Sequence, residues 1–407
     1  MKKQTYAILF GVLLVLTFCS VAYSMCDNCS KERISNPQPS CQKGTGILAD
    51  VAVSKPKMQV VFLLDATGSM SGLIGTAKEK IWSIASSMTQ TTPAPDLEIG
   101  MIFYRDRGDE FVTKHIPLGK DLDDLYEQLM EMQAEGGGDE PESVNQALHE
   151  AITQMQWDSK PKTYKSIFLV GDCPPHMDYQ DDVKYPASCA EANKKNITIN
   201  TILMGNNSEA GRIWKSIAQK TNGEFIQTNM NVNNISIRTP YDKKINNLQY
   251  ELDQTRIYYG KEAVKMTAKQ AQSEKMAVLA DEAINARRAE YNLSESGKSA
   301  YYGAGELIND VKNGKELSFI SVDELPETMR NMSDSERKKY VDSLIVKREQ
   351  LEQEIQNLGK QRQQHIDAEL ESMDASIVEK SFDDVVYEAI KEQAETMDIQ
   401  LEDKVKR

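Results

Sequence analysis

The sequence predicts an α/β domain, a mostly parallel central sheet with helices on both faces, followed by a mainly α-helical, partly coiled-coil region. Three observations predict it. From residue 56 to about 230, short apolar runs alternate with amphipathic stretches, the pattern of strands joined by crossover helices. The runs at 60–64 and 166–170 are apolar on both sides, as strands covered on both faces should be. Beyond Pro240 only Pro326 recurs, strand signals vanish, and charged helix formers dominate.

The chain divides into a leader at 1–24, a Cys-containing polar linker at 25–55, the α/β domain at 56–235 and a helical region at 241–407. Lys2 and Lys3 precede an apolar stretch, Ala7 to Ala22, and Ala22-Tyr23-Ser24 places small residues at a cleavage site. This is the pattern of a secretory signal peptide, so the protein is expected to be exported, periplasmic or extracellular. The short signal and lysine-rich helices point to a bacterial source. No later stretch is long and apolar enough to span a membrane. A net charge of −14 argues against nucleic acid as a partner.

Strands are expected at 58–64, 97–104, 111–116, 166–170, 197–203 and 224–228, and helices near 72–88, 121–133, 143–157, 187–195 and 208–221. All three tryptophans, Trp82, Trp157 and Trp214, fall in those helices. In the later region, 345–373 reads as one long helix preceded by a cap at Ser333 to Glu336. Leu344, Leu351 and Leu358 recur at heptad spacing, and Arg362 and His365 then interrupt the seam. A helix folding back on its own chain is expected, with self-association through these helices as the alternative.

Export makes disulfides chemically available. Cys173 and Cys189 flank a fifteen-residue loop and are expected to pair. Closing such a loop is worth about 3 kcal/mol in the chain-entropy model. Cys26, Cys29 and Cys41 in the linker leave the pairing open.

The first buried run ends at Asp65, and Thr67 and Ser69 follow at alternate positions across a turn loosened by Gly68. Ligands of open α/β sheets bind at the carboxyl ends of the strands. One carboxylate and two hydroxyls are hard oxygen donors suited to Mg²⁺ (or Mn²⁺) rather than zinc. The second buried run also ends in an aspartate, Asp172. Two such carboxylates at one sheet edge call for a cation.

Asp65-x-Thr67-x-Ser69, with Gly171-Asp172 later, resembles the metal-ion-dependent adhesion site of the von Willebrand factor A domain, over residues 56 to 230. The resemblance implies a Rossmann-like fold whose strand at 111–116 is an antiparallel edge. It implies Mg²⁺ or Mn²⁺ held by Asp65, Thr67 and Ser69 with Asp172 nearby, and a protein partner whose carboxylate completes the coordination. The family's threonine from a third loop is missing. That loop reads Glu135-Gly-Gly-Gly-Asp139-Glu-Pro-Glu142-Ser143, where Asp139 is the expected replacement and Glu142 or Ser143 the alternatives.

Asp106 could also contact the site or a partner, and His176 could stand behind it. Arg107-Gly108-Asp109 resembles an integrin-binding tripeptide and is read as chance; Asp178, Asp181 and Asp182 are read as a solvated acidic loop. No phosphate-binding loop, H-E-x-x-H or G-x-S-x-G is present. The expected function is therefore cation-dependent protein binding, not catalysis, with the helical region for docking or oligomerisation. A scaffold of an envelope assembly with a structural metal, and more distantly a metal-dependent hydrolase, are the alternatives.

Overall fold

A computed structural model describes residues 55–89, 93–138, 140–228, 237–373 and 381–402. The leader at 1–24, the linker up to residue 54, Cys26, Cys29, Cys41 and Asp139 lie outside them.

Six strands form one sheet: β1 (Lys57–Asp65), β2 (Asp96–Tyr104), β3 (Thr113–Gly119), β4 (Tyr164–Gly171), β5 (Thr198–Met204) and β6 (Phe225–Thr228), in the order β3-β2-β1-β4-β5-β6. All pairs are parallel except β2–β3. From Met58 to Asp65 every residue of β1 is buried, as is all of β4, because both faces are covered. The edge strand β3 is mostly half-buried and carries Pro117, a residue that cannot donate to a ladder.

Helices α1 (Ser71–Met88) and α2 (Leu122–Glu131) cover one face. Helices α3 (Val144–Thr153), α4 (Tyr185–Lys194) and α5 (Ser208–Lys220) cover the other. The second face packs Val61, Leu63, Ile167 and Leu169 against Leu148, Ile213 and Trp214. Asn207 caps α5, its side chain accepting from the amides of Glu209 and Ala210. Trp157, expected within a helix, lies outside it: α3 stops at Thr153, and the indole N–H donates to the Ala151 carbonyl at 2.8 Å.

The helical region comprises α6 (Asp242–Asp253), α7 (Ala263–Leu279), α8 (Glu282–Asn292), α9 (Lys298–Tyr302), α10 (Leu307–Lys312), α11 (Glu327–Arg330), α12 (Asp334–Ser372) and α13 (Phe382–Glu395). Among the described residues no helix is long and apolar enough to cross a membrane. A capping box between Ser333 and Glu336 starts α12. The heptad seam of α12 is consumed within the chain: Leu351, Ile355 and Leu358 pack with Ile245 and Leu252 of α6, Ala286 and Ala289 of α8 and the tyrosines of α9. The seam also runs past its apolar part. Arg348 and Arg362 are both buried; Arg348 binds Glu306, and Arg362 donates from Nε to Asp242 at 2.7 Å. Those buried acids, Glu306 and Asp242, extend the intrachain packing of the seam beyond its leucines.

The region is not a separate lobe. Helix α13 returns to the sheet and completes the first face, where Phe382, Val386, Tyr387 and Ile390 join Phe62, Phe168 and Trp82 in one core. Gln393 keys it in place, accepting from the Tyr164 hydroxyl at 2.9 Å and exchanging hydrogen bonds with Asn200. Tyr291 of α8 enters the same core beside Trp82. The α/β core is thus finished by residues far beyond 235.

Candidate metal centre

β1 and β4 are neighbours, and the sheet order reverses between them. Asp65 ends β1, and Asp172 follows the last residue of β4, so the two aspartates share the crossover crevice. The turn after β1 brings in the hydroxyls. The Thr67 amide and hydroxyl both donate to Asp65 Oδ1, at 2.9 and 2.6 Å. Thr67 Oγ1 lies 3.2 Å from Ser69 Oγ. Asp65 is fully buried, and its Oδ2 has no hydrogen-bond partner.

Two close approaches shape this floor. The Tyr104 hydroxyl reaches under Asp65 to donate to the Val170 carbonyl at 3.2 Å. Gly171 passes so near that an added Cβ would sit 3.0 Å from Asp65 Oδ2 and strike the Tyr104 hydroxyl. Glycine is required there by contact. Its trace in the sequence is the Gly171-Asp172 pair.

The third loop closes over the turn. Gly136 and Gly137 both adopt positive φ, near +80°. The Gly136 carbonyl accepts from the Gly68 amide at 3.1 Å, and the Gly137 amide donates to the Asp109 carboxylate, 3.2 Å to Oδ2. Among the described residues of this loop, Glu142 is a carboxylate brought up to Asp65 and Asp172. Its backbone is gripped on both sides: the amide donates to the Pro174 carbonyl at 3.0 Å, and its carbonyl accepts from the His176 amide at 3.1 Å. Glu142 is buried, with Oε2 unpartnered. Ser143, the other alternative, turns away and donates to Asp106 Oδ1 at 2.8 Å.

Asp106 and His176 stand behind Glu142. Asp106 also accepts from the Tyr179 hydroxyl at 2.9 Å, and His176 stacks on Tyr179 with ring centroids 3.9 Å apart. His176 Nδ1 pairs with Asp178, and Nε2 lies 3.3 Å from Asp106 Oδ2 without hydrogen-bond geometry. The Arg107-Gly108-Asp109 tripeptide is occupied internally. Arg107 binds Asp181 and Asp182 at 3.0 and 2.8 Å, and Asp109 holds Gly137. The acidic loop therefore serves as an arginine clamp.

The electrostatics record the crowding. Burial raises the Asp65 carboxyl to about 7, against the two Thr67 hydrogen bonds and with help from Asp172. Burial, then Asp65, Asp106, Asp109 and Asp172, pushes Glu142 up to about 9. Asp172 Oδ1 is a third buried oxygen without a partner. Among the described residues no group of three or more His, Cys, Asp and Glu is placed to hold a metal by those side chains alone. The oxygens around Asp65 are a mixed set in which two donors are hydroxyls.

Cys173 and Cys189 stand as buried free thiols, not as the expected disulfide. The segment between them is held otherwise. Trp214 donates to the Cys173 carbonyl, Asn145 spans His176 and Tyr185, and Cys189 packs in the core under α4.

Residues 59–230 match the family model described as von Willebrand factor A domain. A protein of Acanthamoeba polyphaga mimivirus named as an ariadne-like RING finger protein is 27% identical over 119 residues, 29% of this chain and 11% of that protein's length. Among solved structures, the SpRpn10 VWA domain aligns at 11% identity and a TM-score of 0.33, covering 42% of this chain and 88% of that one. Proximal thread matrix protein 1 from the mussel byssus aligns at 15% identity and a TM-score of 0.33, covering 43% of this chain and 42% of its own.

Proposed function

Since residues 59–230 are a von Willebrand factor A domain, a kind of domain that mediates protein–protein interactions, we propose that this chain is a divalent-cation-dependent protein-binding module. The cation is Mg²⁺ or Mn²⁺, and the binding edge is the crevice between β1 and β4. Asp65, Thr67 and Ser69 would hold the ion, with Asp172 and Glu142 closing the site. The observation that carries this reading is the set of three buried carboxylate oxygens without partners, Asp65 Oδ2, Glu142 Oε2 and Asp172 Oδ1. Unpaired buried carboxylates are costly, and a hard cation offsets that cost. When bound, the ion would supply a positive charge that fixes these loops; Asp109 holds the glycine loop and Asp106 holds Ser143 behind it.

Calorimetric titration of Mg²⁺ and Mn²⁺ into the purified protein, beside Asp65→Ala, is the test. Binding in the parent that disappears in the variant supports the reading, and silence in both sinks it.

A second reading, a scaffold whose ion is structural, is favoured by Glu142. An acid in place of a neutral hydroxyl makes the ion less electrophilic. That reading expects partner binding to survive EDTA and Asp65→Ala, the contacts being made by the helices after residue 240. In either case we place the protein outside the cytoplasm on the strength of residues 1–24, which N-terminal sequencing of the mature protein would check.

A further inference from the structure

We propose that the helical region holds a second binding site, a cavity between α6, α7 and α8 that takes a small organic amine with an apolar body. The site is separate from the crevice between β1 and β4 and does not rest on the reading of that crevice. The cavity measures about 510 Å³. That is within the usual range for small-molecule sites, which pair an apolar lining with a few fixed polar groups. Helix α6 gives it Asn246, Gln249 and Tyr250, and α7 gives it Glu274, Ala277 and Val278.

Its polar floor seeks a donor. The Gln249 side chain is 5% exposed. Its amide nitrogen donates to the Tyr301 hydroxyl at 3.0 Å, and that hydroxyl donates onward to Asp253 at 2.8 Å. This relay fixes the amide's orientation and leaves Oε1 without a partner. Asn246, one turn earlier on the same helix, repeats the arrangement. Its nitrogen donates to the Glu282 carbonyl at 3.2 Å, and its Oδ1 has no partner. A buried acceptor left unpaired is costly. Both oxygens are covered as the helices stand. The third wall, α7, buries none of its 17 residues, so it yields without unpacking a core.

The charges and the mouth define the ligand. Arg288 on the lining is committed to Asp123, and Asp253 to Arg256 at 2.6 Å. The other charged side chains there are Glu274, Glu282 and Lys275, two acids against one base. An ammonium group therefore suits the site better than a carboxylate. Its N–H donors meet the amide oxygens, and its charge meets the excess of acid. The mouth is apolar: Tyr250 and Val278, both on the lining, are 61% and 85% exposed. Large hydrophobic side chains gathered in the open at one cavity mark a place where something apolar docks. They would cover the body of the amine.

The test is calorimetric titration of the full chain with phenylbutylamine and with phenylbutyrate, which share a body and differ in head group. The amine should bind with a Kd of about 1 mM or tighter, and at least about tenfold more tightly than the acid. Ala277→Trp, which sets an indole on the cavity wall, should abolish the heat, and Asn246→Ala should weaken binding by roughly fivefold. Val264→Asp, exposed at the far end of α7 and outside the lining, should bind as the parent does. Thermal melts check that each variant is folded. Should Ala277→Trp melt early, the contrast between the two compounds and the Asn246→Ala result still decide. Equal or tighter binding of the acid would overturn the proposal, as would silence with both compounds. So would a folded Ala277→Trp chain that binds the amine like the parent, or equal losses in Val264→Asp and Asn246→Ala.

Discussion

Arg288 on α8 grips Asp123 on α2 through two parallel hydrogen bonds, Nε to Oδ1 at 2.6 Å and Nη2 to Oδ2 at 2.7 Å. Ser273 of α7 adds a third bond to the same carboxylate at 3.0 Å. The pair joins the helical region to the α/β domain, and both side chains are almost wholly buried. Such fork-on-fork geometry is the strong form of an ion pair.

Burial alone would raise the Asp123 carboxyl, but the Arg288 charge and hydrogen bonds hold it below 3.8. The folded state therefore binds fewer protons than the unfolded one in the window beneath that value. The pair's contribution is complete above about pH 4 and is lost as pH falls through the lower folded value. Asp123→Asn should cost about 3–5 kcal/mol at neutral pH, because it leaves a buried guanidinium uncompensated. In thermal melts the gap between parent and variant should stay constant from pH 7 to about 5 and narrow below about 4. A gap that does not change with pH would refute this account.

Helix α13 predicts the outcome of truncation. Ile390 is fully buried against the sheet, so Ile390→Ala should cost about 2–5 kcal/mol. A chain ended at residue 373 should lose the cooperative melt altogether, although the cut falls far outside residues 56–235. Retention of a sharp transition by that chain, followed by circular dichroism, would show that α13 is dispensable.

Gly171→Ala should weaken Mg²⁺ binding by about tenfold or more, since a Cβ there meets Asp65 and the Tyr104 hydroxyl, and small misplacements of site groups are expensive. Glu142→Gln should weaken it more than Ser143→Ala, because Ser143 faces Asp106. Calorimetry on the three variants gives the ranking directly.

Arg348 donates to both oxygens of Glu306, at 2.8 and 3.0 Å, and to the Thr255 hydroxyl and carbonyl. Arg348→Lys should fail to restore the stability lost in Arg348→Ala, because an ammonium cannot reproduce the fork. Equal melting temperatures for lysine and parent would count against the geometry.

The strands of the α/β domain were legible because the buried runs are local signals that both faces then confirm. Asp65, Thr67 and Ser69 were legible for the same reason: they lie within five residues of one turn. Glu142 was legible only as an alternative to Asp139, because its place is set by Pro174 and His176, which the sheet order brings to it. The place of α13 was equally hidden, since its apolar face resembles that of any amphipathic helix and its partners Phe62 and Phe168 lie hundreds of residues away. Arg362 misled in another way. As a charge on a leucine seam it reads as the end of packing, whereas Asp242 makes it a continuation.

The late return of α13 also imposes an order of events on synthesis. Ribosomes build the chain from its N-terminus, so all six strands emerge before Phe382 exists. At roughly 5–20 residues per second, one apolar face of the sheet waits on the order of 10–30 seconds for its last helix. During that interval Phe62 and Phe168 are candidates for capture by chaperones or by other nascent chains, and the helices from α6 to α12 are made while the sheet they will lean on is still unfinished.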